Sequence, residues 1–186
     1  MSRPSGGPKL SPLGAVVRGL AAGAVGTVAL DLVWFARYKR AGGEQGFWAW
    51  ETGADVKTWD DVSAPGQVGR RLAEAFLQRE LPDEWARATN NVVHWAYGMG
   101  WGAQYGIVAG SARKMPRWSG LAFASVVWLS SYVALPLAKV YRPLWEYDAK
   151  TLAKDFSAHV AYGTGTSTVF AALSRSKSGS AADTRD

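Results

Sequence analysis

Asp31, His94, Tyr132 and His159 each stand in a stretch of chain that is otherwise apolar, and their side chains are those of proton and ion chemistry. Asp31 is the sole charge between Gly19 and Ala36. An ionisable group inside an apolar helix costs about 2.5–3.5 kcal/mol on membrane-insertion scales, and it turns inward towards a partner. Asp31 is therefore expected to accept a hydrogen bond or a charge from a His, Tyr or Arg of another helix. Tyr97 and Tyr162 follow the two histidines at i+3 and share their helix faces. This set fits a proton or small-solute path, which its histidines would make responsive to pH between about 5 and 8. It also fits a polar clasp that fixes helix order without chemistry and, less closely, haem b held between His94 and His159 or a hydrolytic or transfer site.

Counting along the chain places these residues at one depth. Asp31 lies six residues before Arg37, His94 seven after Arg87, Tyr132 seven before Lys139, and His159 four after Asp155. At about 1.5 Å per residue they fall within a turn or so of a common level. Arg142, Glu146, Asp148 and Asp155 form a polar mouth near that level, with Glu51, Asp60 and Asp61 in a loop on the same side. No cofactor or metal is expected from spacing. Neither histidine has an H-x-x-x-H or H-x-x-E neighbour, so His94 and His159 would be the ligands only if a metal bound at all. No P-loop or G-x-S-x-G is present, and the G-x-G elements lie in apolar stretches.

The elements that must position this set are apolar helices. Ala88–Ala112, Trp118–Ala138 and Phe156–Ser174 carry no charge, and a fourth window runs from Leu13 to Ala36. A bilayer core takes about 20 mostly apolar helical residues. The chain is therefore expected to be all-α, a four-helix transmembrane bundle with spans at about 13–36, 88–112, 118–138 and 152–174. The alternatives are a soluble all-α bundle and, for the first window, a cleaved signal peptide. The apolar stretch runs past Thr27-Val28-Ala29 to Ala36 before Arg37, Lys39 and Arg40 stop it, which favours an uncleaved helix. Residues 1–12 read as a flexible arm and 175–186 as a disordered tail, leaving 13–174 as the membrane domain.

The spans repeat. His94-Trp95-Ala96-Tyr97-Gly98-Met99-Gly100 and His159-Val160-Ala161-Tyr162-Gly163-Thr164-Gly165 share H-x-A-Y-G-x-G, and Gly19-Leu20-Ala21 is echoed by Gly120-Leu121-Ala122. Two duplicated hairpins would follow. Gly98, Gly102, Gly106 and Gly110 recur every fourth residue, with a matching step at Gly19 and Gly23; such steps let helices approach closely. In the loop 37–87, Val68, Leu72 and Phe76 lie at i, i+4, i+8 opposite Arg70 and Arg71. They predict an amphipathic helix over 64–81 on the membrane surface, closed by Pro82, or packed on the bundle end.

Composition narrows the class. The 186 residues include no Cys, which excludes disulfides, thiolate metal sites and Cys nucleophiles. The pI of 9.7 reflects short basic clusters beside apolar spans, for which anionic lipid and not nucleic acid is the simpler partner. Basic residues near the spans tie at eight on each side, but net charge is +7 on the side of the termini and −1 on the other, giving a lean to cytoplasmic termini.

In its four spans, the long loop after the first, and a histidine with nearby aromatics early in spans two and four (His94-Trp95, His159 with Tyr162), the chain resembles the YagU-like family of small bacterial inner-membrane proteins. The resemblance implies a plasma-membrane location and a link to acid stress, with no catalytic residues to carry over. The expectation is a non-enzymatic membrane protein, stress-related or permeating protons or small solutes, whose partners are the bilayer and a second copy or another membrane protein. A redox protein or enzyme using His94 and His159, and a structural subunit, are the alternatives.

Overall fold

A computed structural model describes residues 10–112, 114–137 and 139–180, with residues 176–180 as backbone only. The chain is all-helical, and no β-strand occurs among the described residues. Four long helices, α1 (Pro12–Arg40), α4 (Ala86–Ser111), α5 (Ser119–Leu137) and α6 (Ala149–Ser180), are joined by two short ones, α2 (Phe47–Glu51) and α3 (Ala64–Leu77). The expected arm over 1–9 and tail over 181–186 lie outside the described residues. Arg175–Ser180, expected within the tail, continue α6, which carries no glycine or proline between Ser167 and Lys177 to stop it.

Helix α1 starts where Ser11 caps it, its hydroxyl accepting from the Gly14 amide at 3.1 Å with Pro12 in the first turn. It ends in Arg37, Lys39 and Arg40, which suit the negative end of the helix. It is the hub of the bundle, packed along α4 on one side and α6 on the other, while α5 packs on α6. Arg18 clamps one end of α6 by donating to the Leu173 carbonyl, 3.1 Å. Arg37 clamps the other, donating to the Lys154 carbonyl at 2.8 Å and to Ser157 Oγ at 2.6 Å.

The packing is close because it runs through glycine. A Cβ built on Gly102 would lie 2.4 Å from the Gly19 carbonyl oxygen and from Gly23 Cα, and one on Gly106 would lie 2.4 Å from the Ala15 carbonyl oxygen. One built on Gly98 would strike Thr27 Oγ1. The contacts climb four residues at a time on each antiparallel helix, Ala15–Gly106, Gly19–Gly102 and Gly23–Gly98, and the next step on α1 beyond Thr27 is Asp31. Between α5 and α6, a Cβ on Gly120 meets Ser167 Oγ and one on Gly163 meets Ala124 Cβ at 2.8 Å.

On α1, residue size is distributed in reverse of a soluble core. Gly19, Ala22, Gly23, Gly26, Thr27 and Asp31 are the buried side of α1, while Val17, Val25 and Leu32 face outward. On α5, Gly120, Ala124, Val127, Ser131 and Tyr132 are buried and Leu121, Val126, Leu129 and Val133 are exposed. Helices α1 and α5 are long and apolar enough to cross a membrane. Helices α4 and α6 fall outside that group: Asn90, Asn91, His94 and Gln104 dilute α4, and Ser157, His159, Thr164, Thr166, Ser167 and Thr168 dilute α6.

Helix α3 stops at Leu77, not 81, because Gln78 takes a left-handed conformation at φ 54°. It packs on α4 through the glycine side: Gly66 and Gly69 lie against Asn90, Thr89 and Val93. Its Leu72 and Phe76, 67% and 88% exposed, are left facing out. Beneath it, Trp59, Val62 and Ala86 form a small core with Val56 and Leu81, and Trp59 Nε1 donates to the Leu81 carbonyl at 2.8 Å.

Candidate functional site

Asp31, one turn beyond the last glycine contact, is brought to His94: the Asp31 Oδ2–His94 Nε2 distance is 3.0 Å. Asp31 is 4% exposed. Glu51, the last residue of α2, completes the cluster, and the donor atoms of Asp31, Glu51 and His94 all lie within 4.8 Å of one another.

The short helix α2 carries too few residues to hold itself, and two tethers fix it. On the α1 side Phe35 stacks edge-on to Phe47 at 5.3 Å and lies 5.5 Å from Trp50, which also meets Tyr38. On the α4 side Arg87 Nε donates to the Thr52 carbonyl at 2.9 Å, joined there by Asn91 Nδ2 at 3.0 Å. Glu51 is thereby set over Asp31. Its Oε1 is buried and has no hydrogen-bond partner. Two bare carboxylates cannot bond each other, so a proton on one of them or a cation between them must complete the pair. Burial, and after it the Asp31 carboxylate, push the Glu51 carboxyl up to about 7, with His94 pulling the other way.

The other residues of the expected single-level set form a second cluster. Asp155 Oδ2 accepts from Tyr132 OH at 2.9 Å and from Trp128 Nε1 at 3.0 Å, while His159 Nδ1 lies 3.0 Å from the Asp155 backbone carbonyl and 3.5 Å from its Oδ1. Asp155, read as part of the mouth, is thus the acceptor at the centre of this inner group. Tyr162 belongs to neither cluster; it is buried between α4 and α6 and donates to the Gly98 carbonyl at 2.6 Å. Tyr97 faces Ser131 with its hydroxyl 3.4 Å away. His94 thus turns to Asp31 and His159 to Asp155, and the arrangement gives no support to haem held between them.

The remaining mouth residues have local roles. Asp148 caps α6, accepting from the Thr151 amide at 3.0 Å and from its hydroxyl. Arg142 lies over the Tyr147 ring at 5.5 Å, and Glu146 is exposed in a short turn of 3₁₀ helix. Burial, then Asp155, push the nearby Tyr141 phenol up to about 12. Glu51 is the site residue that spacing alone did not single out. Its signal is indirect: Phe47 and Trp50 in one short run, and Phe35 and Tyr38 just beyond Asp31, are complementary aromatic faces.

No protein-family model, curated protein or solved structure matches the chain.

Proposed function

We propose that this chain is a small integral membrane protein in which α1, α4, α5 and α6 span the bilayer and the Asp31–Glu51–His94 cluster handles a small cation at one end of the bundle. The observation that carries the reading is the outward valines and leucines of α1 and α5, set against a buried α1 face of glycine, alanine and threonine. Such an apolar exterior is covered by lipid tails, and helices in lipid associate through small residues.

The hairpins α1–α4 and α5–α6 are read as duplicates. In the H-x-A-Y-G-x-G repeat Gly98 corresponds to Gly163 and Gly102 to Ser167; in the weaker echo Gly19 corresponds to Gly120 and Gly23 to Ala124. The close contacts Gly19–Gly102 and Gly23–Gly98 are then matched by Gly120–Ser167 and Ala124–Gly163. The outward Leu72 and Phe76 of α3 suit the lipid interface. Plasma-membrane insertion with cytoplasmic termini fits the charge difference between the two sides. A stress-related role is what the YagU-like resemblance implies, and permeation of protons or small solutes is the role read from the ionisable cluster.

Proteoliposomes with a trapped pH-sensitive dye test the permeation. An acid pulse should acidify protein-loaded vesicles faster than empty ones, and Asp31→Asn should return the rate to that of empty vesicles while Asp155→Asn leaves it high. Equal rates with and without protein would remove permeation, and release of the protein by alkaline carbonate washing would remove the membrane reading itself.

A further inference from the structure

Asp31, Glu51 and His94 reach one point from three separate elements, α1, α2 and α4, with their donor atoms within 4.8 Å of one another. Among the described residues no Lys or Arg pairs with either carboxylate. Arg87, which reaches the residue after Glu51, donates instead to the Thr52 carbonyl and hydroxyl. Glu51 Oε1 is left buried without a hydrogen-bond partner. We propose that the cluster binds one divalent first-row transition cation of the zinc type, with Asp31, Glu51 and His94 as its ligands. The proposal rests on the reading of this cluster as a cation site and names the occupant.

Charge, donor type and geometry converge on that class. Two carboxylates and a neutral imidazole neutralise a dication, so the occupied cluster carries no net charge. Imidazole favours zinc and its neighbours, whereas magnesium and calcium prefer shells made of oxygen alone. A tetrahedral zinc at about 2.0–2.2 Å from each donor sets the donors about 3.4 Å apart. Asp31 Oδ2 and His94 Nε2 are already at 3.0 Å. The carboxylate of Glu51 has to close by at most about 1.4 Å from the 4.8 Å limit, which rotation of its side chain accommodates. Three protein ligands leave a fourth position for water or an incoming ligand.

The test is a zinc titration of the chelator-stripped, full-length protein in detergent, in competition with a chromogenic chelator. One equivalent per chain should bind. Glu51→Gln, Asp31→Asn and His94→Ala should each weaken binding by at least about tenfold, and His159→Ala should leave it unchanged. Glu51→Gln retains the Asp31–His94 pair, so its metal-free thermal unfolding should match the parent and separate ligand loss from misfolding. Absence of a stoichiometric site, equal binding in all variants, or equal competition by millimolar magnesium overturns the proposal. Vesicle flux on the same preparations keeps the two readings apart. Asp31-dependent flux without zinc binding removes the metal and leaves cation handling, and zinc binding without flux removes permeation and leaves the metal site.

Discussion

Gly102→Ala puts the origin of the Asp31–His94 contact to the test. The new methyl carbon would lie 2.4 Å from Gly19 O and Gly23 Cα, both backbone atoms that no rotamer change can move. Ordinary contact begins at 3.4 Å, so α1 and α4 must part by about 1 Å or slide past each other. Overpacking of this kind costs about 1–3 kcal/mol. Carried along the helices, the same separation takes the 3.0 Å Asp31–His94 contact to about 4 Å, beyond hydrogen-bond reach. Gly100→Ala is the control: it lies on the same helix, and a Cβ there meets nothing within 4 Å. Thermal unfolding in detergent, followed by tryptophan fluorescence, should show Gly102→Ala lowered by roughly 2–12 °C and Gly100→Ala unchanged. The histidine side-chain NMR signals of Gly102→Ala should show the His94 hydrogen bond lost. Equal melting of the two variants, or a lowered melting point with the His94 bond intact, would refute the claim that glycine contacts set the register of the pair.

Three further outcomes follow from the same contacts. Trp59→Ala empties the small core under α3 and should cost about 3–5 kcal/mol of local stability, seen as rapid proteolysis within the loop 52–85 while the long helices stay protected. Tyr162→Phe removes the donor to the Gly98 carbonyl and should destabilise by about 0.5–1.5 kcal/mol; an unchanged melting temperature would mean the bond contributes nothing. The amides of Lys57 and Thr58 and the Thr58 hydroxyl hold the Asp61 carboxyl below its ordinary value. The order this lends to the turn is complete above the ordinary Asp value of about 4, and it fades as pH falls through the lowered one. Hydrogen exchange at the Lys57 and Thr58 amides, corrected for intrinsic rates, should therefore accelerate on the acid side in the parent and show no such step in Asp61→Asn.

What could be read from sequence was whatever repeats with the helix or breaks a composition. The glycines at every fourth residue of α4 announce a contact face, and a lone Asp in an apolar run announces a buried acceptor. Tertiary choices were not legible. His94 and His159 share the H-x-A-Y-G-x-G pattern and one expected depth, yet the first pairs with a carboxylate of α1 and the second with its own helix four residues back, so counting along the chain led to the expectation of one cluster where there are two. Glu51 was legible only as a loop carboxylate, because its position depends on aromatic rings of α2 finding those of α1, and a helix of five residues has no period to read. The end of α3 depends on one left-handed residue, Gln78, whose type carries no such preference, whereas Pro82 looked like the natural stop.

The hub position of α1 has a consequence for how the protein is made. Asp31 leaves the ribosome 63 residues ahead of His94, which at about 5–20 residues per second is a wait of roughly 3–13 s. Throughout it, on the membrane reading, α1 is in or entering the bilayer with its carboxyl unanswered and its glycine face bare. The partner for its other face, α6, arrives later still. Nascent α1 is therefore a client for whatever shields polar helices at the insertion site, and chains interrupted before α4 expose to membrane proteases the very surface that the finished bundle hides.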